Sequence, residues 1–167
     1  SLTAGGLALN STLSSGTAST TILASLSGAT IGLGASSCGG TCGVSLTSTE
    51  LGNITAGSLT IGNTSNGAIT VEGVSSTDSD QFGSLTLNAT ASGSSVTFEN
   101  SDSTFQGLTV NAENGITLSS NLTTNGTTSF DSDSDSDGTG DFTLAASKTL
   151  STTNNALSLT SNDIAFG

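Results

Sequence analysis

Five aspartates fall within eleven residues in Asp131-Ser132-Asp133-Ser134-Asp135-Ser136-Asp137-Gly138-Thr139-Gly140-Asp141. Calcium-binding loops alternate acidic oxygens in this way, then bend sharply at a glycine. Asp133, Asp135 and Asp137 fit the first three acidic positions, Gly138 the bend and Asp141 a later ligand position. Leu144 falls where an EF-hand needs its bidentate Glu, and no helical pattern flanks the loop, so an EF-hand is excluded. Two readings stay open. One is a looser calcium site on Asp133, Asp135, Asp137 and Asp141, with Ca2+ the one cofactor suggested. The other is a solvated acidic loop kept extended by its like charges.

Other chemistry lacks its parts. There is no His, so Ser-His-Asp and Cys-His nucleophiles cannot be assembled and metal hydrolysis lacks nitrogen ligands. Asp78/Asp80 and Glu99/Asp102 are paired carboxylates, but no Arg, Trp or Tyr accompanies them to hold a sugar, and they read as surface acids. No enzyme is predicted. Cys38-Gly39-Gly40-Thr41-Cys42 suits a small-loop disulfide in an oxidising, extracellular setting, with free thiols or a metal as the alternatives. Asn10, Asn53, Asn63, Asn88, Asn121 and Asn125 open Asn-x-Ser/Thr triplets. In a chain more than one-third Ser and Thr, such triplets arise at about the chance rate and only permit glycosylation.

The charge sign restricts partners. Lys148 is the single cation against 13 carboxylates, a formal charge of -12. Nucleic acid and anionic membrane surfaces both require cations that this chain lacks. No apolar run is long enough to cross a bilayer. The N-terminus shows no basic region of a signal peptide, and there is no Met, which suggests a piece processed from a longer precursor.

The elements that must position these residues are strands. The phrase apolar-Thr-apolar recurs as Leu59-Thr60-Ile61, Ile69-Thr70-Val71, Leu85-Thr86-Leu87, Val96-Thr97-Phe98, Leu108-Thr109-Val110, Ile116-Thr117-Leu118 and Phe142-Thr143-Leu144, with Leu157-Ser158-Leu159 as a serine version. Each has period 2, with apolar side chains on one face and a hydroxyl on the other. Leu59, Leu85 and Leu108 open strands at intervals of about one solenoid turn, with a second strand inside each interval. Asn-Gly turns would also suit hairpins. The repetition of residue type at equivalent positions favours an all-β, right-handed parallel β-solenoid of roughly 6–8 coils as a single domain over 1–167. The alternative is an antiparallel β-sandwich subunit joined by strand donation.

Within the domain, 1–43 reads as an irregular N-terminal coil or cap, with a Gly-rich loop at 29–43 holding the cysteines. Residues 44–130 are regular coils, 131–141 the acidic loop and 142–167 the C-terminal coils. A surface excursion is expected at 74–81, and no helix. The six phenylalanines suit core or cap positions. Outward threonines raise ice binding, but their neighbours vary: Ser58 and Gly62 flank Thr60, Ser84 and Asn88 flank Thr86, and Gly107 and Asn111 flank Thr109.

Leu51-Gly52-Asn53-Ile54-Thr55-Ala56-Gly57-Ser58-Leu59-Thr60-Ile61, followed by Gly67-Ala68-Ile69-Thr70-Val71, resembles the haemagglutinin repeats of large bacterial secreted exoproteins, including filamentous haemagglutinin-like adhesins. The resemblance is one of pattern over about 44–130. It implies a right-handed parallel β-solenoid, surface exposure and adhesive or structural roles. The family's secretion domain carries an Asn-Pro motif, and this chain has no Pro. The expected function is an extracellular, non-catalytic stiff rod or self-assembling filament subunit whose partner is a further copy of itself, head to tail. The alternative is an adhesin fragment that binds host or abiotic surfaces or their glycans.

Overall fold

A computed structural model describes residues 1–35 and 42–167. The chain rises in coils. The first holds β1 (Leu2–Ala4) and β2 (Leu13–Ser14). The second holds β3 (Ser19–Ala24), β4 (Ile31–Gly34), β5 (Val44–Leu46), the short helix α1 (Ser48–Gly52) and β6 (Ile54–Thr55). The third holds β7 (Ser58–Asn63), β8 (Ile69–Glu72) and α2 (Ser76–Ser79). The fourth and fifth are β9 (Ser84–Ala89), β10 (Val96–Phe98), β11 (Ser103–Phe105) and β12 (Gly107–Ala112), β13 (Ile116–Leu118), β14 (Leu122–Thr124). The sixth is β15 (Thr128–Asp131), β16 (Phe142–Leu144) and β17 (Leu150–Ser151), and the last is β18 (Leu157–Thr160) and β19 (Ile164–Phe166).

Two seven-stranded sheets run the height of the column, ordered β1-β3-β7-β9-β12-β15-β18 and β19-β16-β13-β10-β8-β4-β5. The third side carries β11-β14-β17 and β2-β6. Among the described residues every strand pair is parallel. The fold is therefore an all-β parallel solenoid. The antiparallel sandwich is overturned, because the Asn-Gly turns bend the chain round a corner of the coil instead of reversing it in a hairpin.

Register explains the repeated phrase. Thr21, Thr60, Thr86, Thr109, Ser129 and Ser158 form one outward column on the first sheet. Thr70, Thr97, Thr117 and Thr143 form another on the second. The alternate residues point inward: Leu59, Leu85 and Leu108 stack, as do Ile61, Leu87, Val110 and Phe130. All are buried, so the core is a set of apolar columns along the axis. Corners need residues without a Cβ. At Gly57 a Cβ would lie 2.1 Å from the Thr17 carbonyl oxygen of the preceding coil.

Two local expectations fail. The 29–43 stretch contains β4, a fully buried strand that pairs with β8, and β5 returns to lie beside β4 at the N-terminal edge of that sheet. Short helices also form. Thr47 and Glu50 make a reciprocal capping box at the start of α1, and the Ser75 hydroxyl accepts from Asp78 N–H at the start of α2. Both signals stand in the sequence, but each helix is too short for an apolar period to reveal it. Val74 and Ser79 are buried, so 74–81 packs against the column.

Leu85→Ala, fully buried in mid-column, is expected to lower unfolding free energy in urea by about 2–5 kcal/mol. Thr86→Ala, next in sequence and facing outward, should cost about 1 kcal/mol or less. Equal losses would show that the apolar columns are not the main source of stability.

Candidate functional site

β15 and β16 are joined across a corner by the acidic loop. Asp133 is nearly buried, and its carboxylate accepts the N–H groups of Asp137 at 3.2 Å and Gly138 at 3.3 Å. One Asp137 oxygen accepts from Thr139 N–H at 2.9 Å and from the Thr139 hydroxyl at 2.6 Å. Asp141 accepts from the Asn162 amide and from Asp163 N–H, both at 3.2 Å, and so ties the loop to the last coil. Gly140 has φ +94° and a virtual Cβ 2.2 Å from the Ser132 carbonyl oxygen, so only glycine fits there. Three of the four aspartates are thus engaged in holding the loop's own backbone or its neighbour.

The carboxylates that converge differ from the expected four. Glu113, Asp135 and Asp137 bring one oxygen each within 4.8 Å of one another, whereas Asp133 and Asp141 turn elsewhere. Glu113 comes from the coil beneath, where it is buried and accepts from Gly93 N–H at 2.6 Å. Its place follows from register: Asn111 pairs with Asp131 one coil away, which brings the residues after each strand to the same corner. Reading ligands along the chain misses neighbours that are supplied across it.

Desolvation in the crowded loop, then the negative charges of Asp137 and Glu113, hold the Asp135 carboxyl above its ordinary value. The Thr139 hydrogen bonds hold Asp137 below its own. The three oxygens form a partial ligand set for a hard cation, fewer than the roughly six to eight that calcium takes.

The other expected residues are built into corners. Asp78 accepts the hydroxyls of Ser48 at 2.8 Å and Ser75 at 2.6 Å, and Asp80 accepts the Gln106 amide. Asp102 clamps Asn121 through its amide and its N–H, both at 3.0 Å. Those bonds, with the Lys148 charge behind them, lower the Asp102 pKa. Burial acts to raise Glu50, but hydrogen bonds from Thr47 and Leu9 outweigh it and lower the carboxyl.

Four of the glycosylation triplets have engaged asparagines. Asn53 donates to the Leu9 carbonyl at 2.8 Å, and Asn63 accepts from Ser65 and Asn66 N–H. Asn88 accepts from Asn111 at 2.8 Å, and Asn121 lies in the Asp102 clamp. Asn10 and Asn125 are exposed. Cys38 falls outside the described residues, and the expected Cys38–Cys42 disulfide with it.

On the outer face of the first sheet, an open groove of about 330 Å³ is floored by Gly83, Gly107 and Gly126 and edged by the hydroxyls of Ser84, Thr109 and Thr127. It offers neither charge nor an aromatic ring. The threonine column beside it is one residue wide, with Gly62, Asn88, Asn111 and Asp131 in the flanking positions. A repeating ice-docking lattice would need uniform columns there.

Comparison with family models, with curated proteins and with solved structures matches the chain to none of them.

Asp135 binds its proton more tightly folded than unfolded, so it favours folding below its unfolded pKa and opposes it once pH rises through the folded value. Asp137 and Asp102 act oppositely: their contribution is present above their unfolded pKa and is lost as pH falls through the lowered folded values. Asp135→Asn should therefore melt no lower than the parent at neutral pH, and the difference should vanish in strong acid, where both side chains are neutral. Melting each protein in calcium and in EDTA separates the two loop readings. A rise in calcium that Asp135→Asn abolishes supports an ion held by Glu113, Asp135 and Asp137, and superimposed curves exclude it.

Proposed function

We propose that this chain is a stiff segment of an extracellular, non-catalytic structural rod. The observation that carries this reading is the pair of seven-stranded parallel sheets running without interruption along one axis. Six steps between seven strands, at about 4.8 Å each, give a column about 29 Å tall. Deforming such a column means breaking backbone ladders that are paired at every level. The polar side chains support the same reading, since the carboxylates best placed for chemistry are tied to backbone N–H groups or neighbouring hydroxyls. The resemblance to haemagglutinin repeats adds the expectation of surface location, with adhesion as the alternative role.

Self-association is the partner this reading favours. At the C-terminal edge Leu157, Ile164 and Phe166 occupy inward-facing positions yet are 45%, 47% and 67% exposed. Phe166 meets Phe142 edge-on, so the aromatic column formed with Phe130 reaches this edge. The opposite edge is more closed, because Leu7 and Leu9 pack against the core between β1 and β2. A further coil laid on β18 and β19 would cover the exposed side chains, and edge strands promote such pairing.

Sedimentation velocity over a concentration series is expected to show reversible association of the parent. Ile164→Asp/Phe166→Asp should stay monomeric at every concentration and remain folded, with a somewhat lower melt from the lost Phe166–Phe142 contact. A parent that is monomeric throughout removes self-association. A compact, isotropic particle in electron micrographs or X-ray scattering removes the rod.

A further inference from the structure

The chain holds the dipeptide Asn-Gly at Asn66-Gly67, Asn114-Gly115 and Asn125-Gly126. Chemistry is the same in all three: with no side chain on glycine, its backbone nitrogen is unshielded beside the asparagine amide carbon. The settings differ. Asn66 is 1% exposed, its amide donates to the Gly67 carbonyl at 2.7 Å, and Gly67 N–H donates to Ala29 at 2.9 Å. Asn114 is exposed, but Gly115 is buried and its N–H donates to the Ser132 carbonyl at 3.0 Å. At the third site Asn125 is exposed, and Gly126 N–H donates no hydrogen bond among the described residues. Only a long contact from the Thr153 hydroxyl, at 3.4 Å, reaches the Asn125 amide oxygen.

A nitrogen already committed to a carbonyl is held away from the side chain it would attack. Burial also keeps out the water that completes the reaction. Both restraints act on Asn66, the first acts on Asn114, and neither acts on Asn125. We propose that Asn125 is a site of spontaneous deamidation in the folded protein. The Gly126 nitrogen attacks Asn125 Cγ, a new C–N bond closes a succinimide, and the side-chain nitrogen leaves as ammonia with the proton from Gly126. Water then adds to one ring carbonyl and opens it to aspartate, or to the other and opens it to isoaspartate. The sum is amide plus water to carboxylate plus ammonium, with no oxidant, cofactor or enzyme.

The position gives the product a consequence. Isoaspartate lengthens the main chain by a methylene at the corner between β14 and β15. That corner has no slack, because a Cβ on Gly126 would lie 2.9 Å from the Gln106 carbonyl oxygen. Either product also removes the Asn125-Gly126-Thr127 glycosylation triplet.

The test is to hold the folded protein in warm, mildly alkaline buffer and map its peptides by mass spectrometry, with isoaspartyl methylation to mark the isomer. A parallel sample stays in concentrated urea. In the folded sample Asn125 is expected to convert at least several-fold faster than Asn66 and Asn114, whereas in urea the three rates converge. Asn125→Gln should remove most of the acidic species that accumulates. Conversion at Asn114 as fast as at Asn125 in the folded protein overturns the proposal. So does an Asn125 that stays intact when folded but reacts in urea, or one that reacts in neither.

Discussion

Everything in this molecule depends on register between coils. Parallel pairing sets each residue about 4.8 Å from its equivalent in the next coil, near enough for side chains of like shape to touch. A column tolerates one kind of residue and penalises a mixture. Hence the leucines and isoleucines within, the threonines without and glycines at corners where one coil's carbonyl reaches the next coil's Cα. A polar pair inside the core follows the same rule. Thr124 and Thr128 stand in register with Phe105 and Leu108, where a lone buried hydroxyl would be costly. Their hydroxyls are 2.5 Å apart and satisfy each other.

What the sequence revealed and what it hid divide along the same line. The apolar-Thr-apolar phrases were legible because alternation is a local property and each phrase carries it whole. Parallel pairing was legible only indirectly, from the recurrence of residue types at equivalent positions. The strand Ile31–Gly34 was hidden because its outward residue is Gly32 where the other strands have threonine, so the phrase was absent and glycine suggested a loop. Glu113 was hidden for a different reason. Its partners Asp135 and Asp137 are about one coil away, and spacing within a loop says nothing of what the next coil brings to it. Cross-coil register had to be known first, and register is the quantity that irregular corner lengths conceal.

Charge is distributed as unevenly as shape. No charged residue precedes Glu50, so all 13 carboxylates belong to the later coils. They collect at corners, where a carboxylate can accept N–H groups left unpaired as the chain leaves one sheet and enters another. Two of the three lowered carboxyls, Asp102 and Asp137, are lowered first by side-chain hydrogen bonds, from the Asn121 amide and the Thr139 hydroxyl, and then by the N–H groups of the same residues; at Glu50 hydrogen bonds overcome desolvation. The raised group, Asp135, lies where negative charges crowd. Much of the formal charge of -12 is therefore a by-product of capping, and the corner at Glu113, Asp135 and Asp137 is where that device produces repulsion.

The same economy bears on function. A catalytic carboxylate must be free to change its proton or partner during a reaction, whereas a capping carboxylate holds backbone that loosens when it lets go. Asp78 joins the hydroxyls of Ser48 and Ser75 from two different corners, Asp102 holds Asn121 of the next coil by two bonds, and Asp133 holds two successive N–H groups of its own loop. Replacing any of them would remove a fastening at its corner. The proposed rod would need fastenings of this kind to resist bending. Its open variables are its outer columns, its C-terminal edge and the corner at Asn125-Gly126, where the glycine N–H donates no hydrogen bond among the described residues.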